Sequence, residues 1–262
     1  MKTFLLVSTL ALATSAVAGV RVETVTRDIK TKTPDGPTHT VLVQDGKVRT
    51  TSGHGGTMII SGDMIYIVND EQKSYREMTK AQMQQMAGQA GAAMAAMQER
   101  MKNMSPEQRA MMERMMGGQV PGGMSPAGKP DTWDAKDTGK SDTAEGRKCR
   151  VWNLLRNGKL LEELCVVPFS SLPGKEDFEK TFKELAEVFA EVTKGMPNAD
   201  NAAKARMTVN GYPVRTRPYD ASGKLRGTEN VMTKWAEETV AASSFQVPKG
   251  YKKQAMPKMG GR

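Results

Sequence analysis

The segment "TMIISGDMIYIVNDEQKSYREM", residues 57–78, decides the fold. It contains three short apolar runs, separated by turn signals at Gly62-Asp63 and at residues 70–73. Short runs joined by turns of two to four residues predict neighbouring antiparallel strands. The apolar side chains of these strands cannot all face water, so we expect one side of the sheet to be covered. They are Met58, Ile60, Ile65 and Val68.

The same pattern extends upstream, so residues 19–78 are predicted to form one β-meander. The runs "VRVETVTRDIKTKT", "THTVLVQ" and "KVRTTS" are separated by "PDGP" and by Asp45-Gly46. The Gly-rich "GHGG" then leads into the segment quoted above. Glycine, proline and aspartate at these points favour tight turns over continued strands.

The chain starts with a pattern that is typical of an export signal. Lys2 precedes an apolar run over residues 4–13, and Ala16-Val17-Ala18 is a small-x-small cleavage pattern. The run is shorter than the roughly 20 residues that a membrane-spanning helix needs. We therefore expect a signal peptide over residues 1–18, cleavage after Ala18, and a periplasmic or secreted protein.

Length and charge fit one exported α+β domain over residues 19–262. The formal net charge is +9, and removal of Lys2 with the signal leaves 9 − 1 = +8. The basic residues are spread along the chain, with one concentration in the tail, residues 248–262. We expect this tail to be flexible and to offer a possible contact for an anionic membrane surface. A nucleic-acid partner is not expected.

Residues 79–117 are predicted to form methionine-rich helices. Thr79 with Gln82, and Ser105 with Gln108, match the capping box, so two helices are expected at about 79–103 and 106–117. Methionines recur at steps of three and four, which indicates one apolar stripe. The stripe includes Met83, Met86, Met94, Met97, Met101, Met104, Met111 and Met115.

The two cysteines, Cys149 and Cys165, flank a predicted β-hairpin with Asn157-Gly158 at its turn. A three-residue loop that includes Arg156 would set the cysteines directly opposite each other. A two-residue loop would offset them by one and require a bulge. The first register is preferred because it lets a disulfide close without a bulge, and export permits such a bond.

The segments around this hairpin complete the predicted domain. Residues 118–146 are rich in Gly, Pro, Asp, Lys and Ser, which indicates a flexible linker. Residues 147–247 are predicted to hold the hairpin, an amphipathic helix at 175–194 and C-terminal strands. Alternation favours a strand over a helix for residues 232–242. The apolar face of the helix consists of Phe178, Phe182, Leu185, Phe189 and Val192.

The order of these segments resembles the domain of unknown function 4412 family of exported bacterial proteins. The similarity rests on "SPEQRAMME", "TGKSDTAEGRKCRVWNLLRNGKLLEELCVV", "NGYPV" and "FQVPKGY". The segment of residues 57–78 also resembles the strand-turn-strand of the periplasmic lipoprotein carriers LolA and LolB. These resemblances imply a curved antiparallel sheet, a half-barrel wrapped around helices, with an apolar ligand cavity. They imply no reaction.

Three functions compete for the methionine stripe. Thioethers favour Cu(I), which would make Met94, Met97, Met101, Met104, Met111 and Met115 a copper site, although no His or Cys accompanies them. The stretch "MSPEQRAMMERMM" is similar to the helix starts of Spy- and CpxP-like chaperones, which suggests client binding. Methionine also adapts to irregular apolar partners, which favours a movable cover over a ligand.

The apolar-cover interpretation explains most of the sequence, so we expect a non-enzymatic carrier or binding protein without a cofactor. The two histidines, His39 and His54, stand apart, and no nucleophile-elbow serine, phosphate loop or dinucleotide-binding turn is present. The expected ligand is a lipid or an apolar peptide segment. The predicted ligand face comprises Ile60, Ile65, Met83, Met86, Met94, Met97, Met101 and Trp152.

Overall fold

The computed structural model describes residues 18–53, 55–102, 104–105, 107–108, 111, 131–193, 197–220 and 222–256. The first six strands are β1 (Ala18–Asp28), β2 (His39–Gln44), β3 (Lys47–Ser52), β4 (Gly56–Ser61), β5 (Met64–Asn69) and β6 (Ser74–Thr79). The last six are β7 (Trp133–Ala144), β8 (Arg147–Arg156), β9 (Lys159–Val167), β10 (Tyr212–Pro218), β11 (Thr228–Thr239) and β12 (Lys252–Lys253). The helices are α1 (Lys80–Lys102), α2 (Lys175–Thr193) and α3 (Pro197–Met207).

The strands form a single sheet in the order β12-β6-β5-β4-β3-β2-β1-β11-β10-β9-β8-β7. Neighbours are antiparallel except β12, which runs parallel to β6. The predicted antiparallel sheet is therefore confirmed, and within the described residues it stays open rather than closing into a barrel. Of the predicted strand at residues 232–242, residues 232–239 belong to β11, and a short 3-10 helix begins at Ala242 instead. Among the described residues, no helix combines the length and apolar content that a bilayer span requires.

An ion pair shows how strongly the sheet curves. Arg27 of β1 lies 2.7 Å, Nη1 to Oε1, from Glu145 in the turn between β7 and β8. In a flat sheet, the five strand spacings from β1 to β7 would separate them by roughly 24 Å. A register shift in β7 between Asp137 and Ser141, with Gly139 at φ +73°, bends this hairpin towards β1.

The turn between β8 and β9 differs from the predicted loop. It contains only Asn157-Gly158, whose φ angles of 53° and 74° fit a type I′ turn. The three-residue loop is therefore wrong, because Arg156 pairs with Lys159 across the hairpin. A bulge then leaves Leu161 without a cross-strand partner, and its carbonyl accepts a hydrogen bond of 2.8 Å from the Tyr219 amide.

The disulfide forms between Cys149 and Cys165 in spite of this register. The bulge sets Val151, rather than Cys149, directly opposite Cys165. The two cysteines lie 5.3 Å apart between Cα atoms and belong to the buried core. In the chain-entropy model, closure of this loop stabilises the fold by roughly 3 kcal/mol.

The flexible linker predicted over residues 118–146 is wrong over residues 133–144. Residues 118–130 lie outside the described residues, but residues 133–144 form β7 rather than a linker. β7 is the edge strand of the sheet, and it is largely polar and charged. Charged edge strands resist pairing with other chains, and they lack the apolar alternation by which strands are recognised in sequence.

The predicted flexible tail is also corrected over its first residues. After Val240 the chain runs over the face of the sheet opposite α1 and α2, and then pairs with β6 as β12. It reaches the face that α1 and α2 cover at Met256. The Lys252 amide donates to Lys73 O at 2.9 Å, and the Gln254 amide donates to Tyr75 O at 2.8 Å. We call residues 240–256 the C-terminal strap. Residues 257–262 lie outside the described residues.

Both faces of the sheet are covered, whereas the sequence predicted a cover on one. One face, here called the helix face, packs against α1 and α2 and holds the largest buried cluster. On the opposite face, Val68 is buried beneath the strap in a cluster that also holds Leu42, Ile59, Val240 and Phe245. A third cluster, also opposite the helix face, covers β8 and β9 and contains Leu164, Val166 and Val209.

A buried carboxylate, Glu229 of β11, joins β1, β10 and the loop after β1. Its side chain has no solvent exposure, and it accepts hydrogen bonds from Arg27 Nε at 3.0 Å, Lys32 Nζ at 2.8 Å and Arg217 Nε at 2.9 Å. Burial raises the pKa of Glu229, but these three hydrogen bonds outweigh it and lower the pKa to about 2. The ionised carboxylate therefore fixes the strands around it.

Replacement of Glu229 by glutamine (E229Q) should destabilise the protein by about 3–5 kcal/mol, because it leaves three cations without their shared anion. Urea unfolding followed by tryptophan fluorescence measures this loss. The matched control is E238Q, which breaks the partly exposed pair with Arg21 and should cost about 1 kcal/mol or less. Equal losses in the two variants would contradict the assigned role of Glu229.

The same variant changes the acid stability. The pKa of Glu229 is lowered from 4.5 to about 2, so its contribution is complete above pH 4.5 and is lost as the pH falls towards 2. Wild type should therefore lose more free energy of unfolding over this range than E229Q. Parallel acid titrations of the two proteins would contradict this linkage.

Candidate functional site

The helix face contains a fully buried row of apolar side chains, one from each of the first six strands. The strand register places them opposite one another across the sheet. Their exposure lies between 0% and 8%, and each contributes roughly 1.5–3 kcal/mol through burial. We call this the inner row: Val20, Val43, Val48, Ile60, Ile65 and Met78.

A second row, two residues further along every strand, is less covered. Val22 is buried at one end, but Ile67 near the other end is 43% exposed. The residues between them are half-buried. The cover of the helix face is therefore incomplete over this row, which leaves a largely apolar strip partly open to solvent. We call it the outer row: Val22, Val41, Thr50, Met58, Ile67 and Arg76.

The row beyond the outer row is polar. It contains Ser52, Gly56, Asn69 and Ser74, which follow one another across β3 to β6. The helix face thus changes from a dry apolar floor, through a half-open apolar strip, to a polar margin. Such a gradient suits a molecule with one apolar and one polar end.

Helix α2 covers the β1–β2 side of the helix face through an aromatic cluster. Phe178 is fully buried, with its ring 4.3 Å from Phe182, 4.5 Å from Trp235 and 5.7 Å from Tyr212 between centroids. Burial raises the pKa of Tyr212 to about 12, although a hydrogen bond with Thr24 opposes this shift. Phe178 and Trp235 are buried, so this end of the site is closed to solvent.

The start of α2 is fixed by three contacts. The Trp235 indole N–H donates to Pro173 O at 2.7 Å, and the Asp45 amide donates to Asp177 Oδ2 at 3.0 Å. Gly174 has φ +64°, and a Cβ there would come within 2.5 Å of a Val20 methyl group. Helix α2 therefore serves as a fixed wall of the site.

Helix α1 starts directly after β6 and is attached to the sheet at that end. The Gln82 amide donates to Thr79 Oγ1 at 3.0 Å, and the Thr79 amide donates to Gln82 Oε1 at 2.8 Å. This is the reciprocal arrangement of the capping box. Met83, in the first turn, packs against the large buried cluster that contains the inner row. Beyond this turn, α1 packs mainly against α2 rather than against the sheet.

The structure brings together only some of the predicted ligand face. Ile60, Ile65 and Met83 belong to one cluster, and Met86 is half-buried further along α1. Trp152 lies elsewhere, because it packs with Leu164 and Val166 on the opposite side of β8 and β9. Met94, Met97 and Met101 lie within α1, but their side chains lie outside the described residues.

The copper and chaperone interpretations fall largely on the segment after α1. Ser105 and Gln108 exchange hydrogen bonds of 3.1 and 3.2 Å, which form a second reciprocal cap. Met104 is half-buried, Met111 is 68% exposed, and Met115 lies outside the described residues. Over the described part of the chain, no group of three His, Cys, Asp or Glu side chains is placed to hold a metal ion.

Sequence reasoning did not single out Ile67 or Arg76, the last two members of the outer row. The alternation in "MIYIVN" already indicates that Ile65 and Ile67 share one face. What decides their different exposure is where the helices end above the sheet, which is a property of tertiary packing. His39, at the start of β2, is exposed, and His54 lies outside the described residues.

Ile65 and Ile67 provide a matched test of the boundary between the two rows. I65A should cost about 2–5 kcal/mol because it leaves a cavity in the closed core. I67A, on the same strand and face, should cost less than about 1 kcal/mol because Ile67 is already 43% exposed. Urea denaturation of both variants measures the difference. A loss at Ile67 as large as the loss at Ile65 would mean that the outer row is closed.

No family model and no curated protein matches the chain. Among solved structures, an uncharacterized conserved protein from Thermus thermophilus is similar at TM-score 0.41 and 8% identity, over 91% of this chain and 90% of that chain. MucB is similar in two complexes with MucA. For the complex from Pseudomonas aeruginosa the TM-score is 0.35, at 11% identity, over 87% of this chain and 55% of that chain. For the complex with MucA(peri) the TM-score is 0.32, at 10% identity, over 91% and 57%. The chain spans somewhat more than half the length of these MucB structures.

Proposed function

We propose that this chain is an exported, non-enzymatic binding or carrier protein for an apolar ligand, such as a lipid or an exposed peptide segment. The ligand lies along the outer row, between the sheet and helix α1. The observation that carries this proposal is the half-open apolar strip beside a closed core, with Ile67 43% exposed. Ile67 lies in the middle of a strand, and an apolar partner would bury the exposed part of its side chain.

The attachment of α1 supports the same proposal. A helix that is fixed to the sheet by its first turn, and that packs mainly on another helix beyond it, can move outward at low cost. Met58 and Met83 both pack against the large buried cluster that contains the inner row. Methionine side chains adapt to a partner of variable shape better than leucine side chains do. The helix thus acts as a movable wall of the site.

Export is supported by the disulfide between Cys149 and Cys165. Such bonds persist in oxidising compartments and are rare in the cytosol. A periplasmic or secreted location, with the signal peptide removed, is therefore part of the proposal. Residues 1–17 lie outside the described residues.

The direct test is mass spectrometry of the small molecules that remain bound to protein purified from an exporting host under native conditions. We expect a lipid or an apolar peptide in an amount that approaches the amount of protein. Phenylnaphthylamine, an uncharged fluorescent dye, should bind after the protein is stripped of such molecules. If nothing co-purifies and the dye does not bind, the proposal is wrong.

A substitution in the outer row should weaken the binding of the dye without unfolding the protein. I67N removes an apolar contact and should raise the dissociation constant about fivefold or more, because part of an isoleucine burial is lost. L225N is the matched control, since Leu225 is 37% exposed in the loop between β10 and β11. Fluorescence titration should show no change for L225N, and an equal loss in both variants would indicate nonspecific binding.

A further inference from the structure

The outer row ends at a charged residue that has no partner among the described residues. Arg76 of β6 pairs directly with Ile67 of β5, so both side chains lie on the helix face. Its Nε atom is buried and makes no hydrogen bond, and Arg76 takes part in no ion pair within the described part of the chain. A buried donor without an acceptor is costly unless something supplies that acceptor.

Other arginines of the sheet show how this chain usually satisfies a guanidinium. Arg27 and Arg217 bond to the carboxylate of Glu229, and Arg215 bonds to Asp142 at 2.7 Å. Arg49, on the opposite face, donates to Ser244 O at 3.1 Å. Arg76 differs from these because it lies beside the apolar Ile67 on the helix face and no described carboxylate pairs with it.

The carboxylate closest to Arg76 in sequence is directed away from it. Glu77 points to the opposite face and forms an ion pair with Lys253 of the strap. The strap thus takes up the one acidic side chain of β6, since the segment "SYREMT" contains no other. Arg76 keeps its positive charge available at the end of the apolar strip.

We propose that the site takes an anionic amphiphile, with its apolar chain along the outer row and its carboxylate or phosphate on Arg76. This inference rests on the proposed function and specifies the ligand class. A guanidinium presents donors in a planar fork that matches both kinds of anion. Met58 and Ile67 contact the chain next to the head group. Asn69, the half-buried polar residue two positions beyond Ile67 on the same face, borders the remaining part of the head.

The charge contribution is tested with two ligands that share one acyl chain, the anionic oleate and its uncharged methyl ester, methyl oleate. Each displaces phenylnaphthylamine from the intact wild-type protein in a competition titration at fixed ionic strength. Wild type should bind oleate about tenfold more tightly than methyl oleate, because only oleate forms a charge-assisted hydrogen bond with Arg76. Equal affinities for the two ligands would overturn the inference while leaving the proposed function intact.

Three variants assign the preference to Arg76. R76Q should lose about tenfold in oleate affinity and leave methyl oleate unchanged, whereas R76K should keep part of the preference because it keeps the charge. R226Q, which removes an exposed arginine from the loop between β10 and β11, should behave as wild type. Thermal unfolding checks that R76Q folds. We expect it to fold because Arg76 has no ion-pair partner among the described residues that the substitution would leave unpaired. A loss of both ligands in R76Q, or an equal loss in R226Q, would overturn the inference.

The two proposals fail in different ways. If neither oleate nor methyl oleate displaces the dye from wild type, the proposed function fails, and the inference fails with it. If inorganic phosphate displaces oleate at a concentration similar to that of oleate itself, Arg76 belongs to a bare anion site and the amphiphile assignment is wrong. Displacement by oleate alone, lost in R76Q, supports both proposals.

Discussion

The inner row imposes the constraint on which the other features depend. Six apolar side chains lie side by side across β1 to β6, and none of them exceeds 8% exposure. Exposed together, they would cost roughly 10 kcal/mol or more, which is comparable with the stability of a whole domain. This row must therefore stay covered, and α2 and the first turn of α1 pack against the cluster to which it belongs. The outer row lies two residues further along each strand, where the helices no longer cover the sheet completely. Its accessibility is therefore set by how far the helices extend over the sheet.

Two devices hold this curved sheet in shape. At the outer end of β1, Glu229 gathers Arg27, Lys32 and Arg217 around one buried carboxylate. At the opposite edge, the strap runs along β6 and inserts Met256 into the cluster that also contains Met83. The first device joins strands that are distant in sequence. The second holds β6, which leads directly into α1, so the point at which α1 joins the sheet is itself fixed.

Local sequence patterns predicted the elements with local causes. The alternation in residues 57–78, the capping box at Thr79 and the helix predicted at residues 175–194 all depend on neighbouring residues, and the structure contains each of them. β7 was missed because an edge strand needs few apolar residues. The two-residue turn is the less favoured of the two predicted registers, and nothing in the hairpin sequence marks the bulge at Leu161. β12 pairs with a strand that lies far earlier in the chain, and no local pattern reports such a contact.

The candidate site was predictable in kind but only partly in position. Apolar residues of β4, β5 and α1 were expected to enclose a ligand, and Ile60, Ile65 and Met83 do lie together. They form the closed floor, however, while the accessible residues are their neighbours Met58 and Ile67. Trp152 is predicted on the same face, but strand alternation places it on the opposite side, where it packs with Leu164 and Val166.

Methionine at the edge of the site is explained by this division between floor and strip. The floor uses mostly Val and Ile, whose branched side chains pack in few conformations and suit a permanent core. Met58, Met78, Met83 and Met256 lie where this core meets the outer row, the first turn of α1 or the strap. These are the positions where packing must change if α1 moves outward to admit a ligand. An unbranched side chain can follow that movement without opening a cavity in the inner row, which keeps the closed core intact while the wall above it shifts.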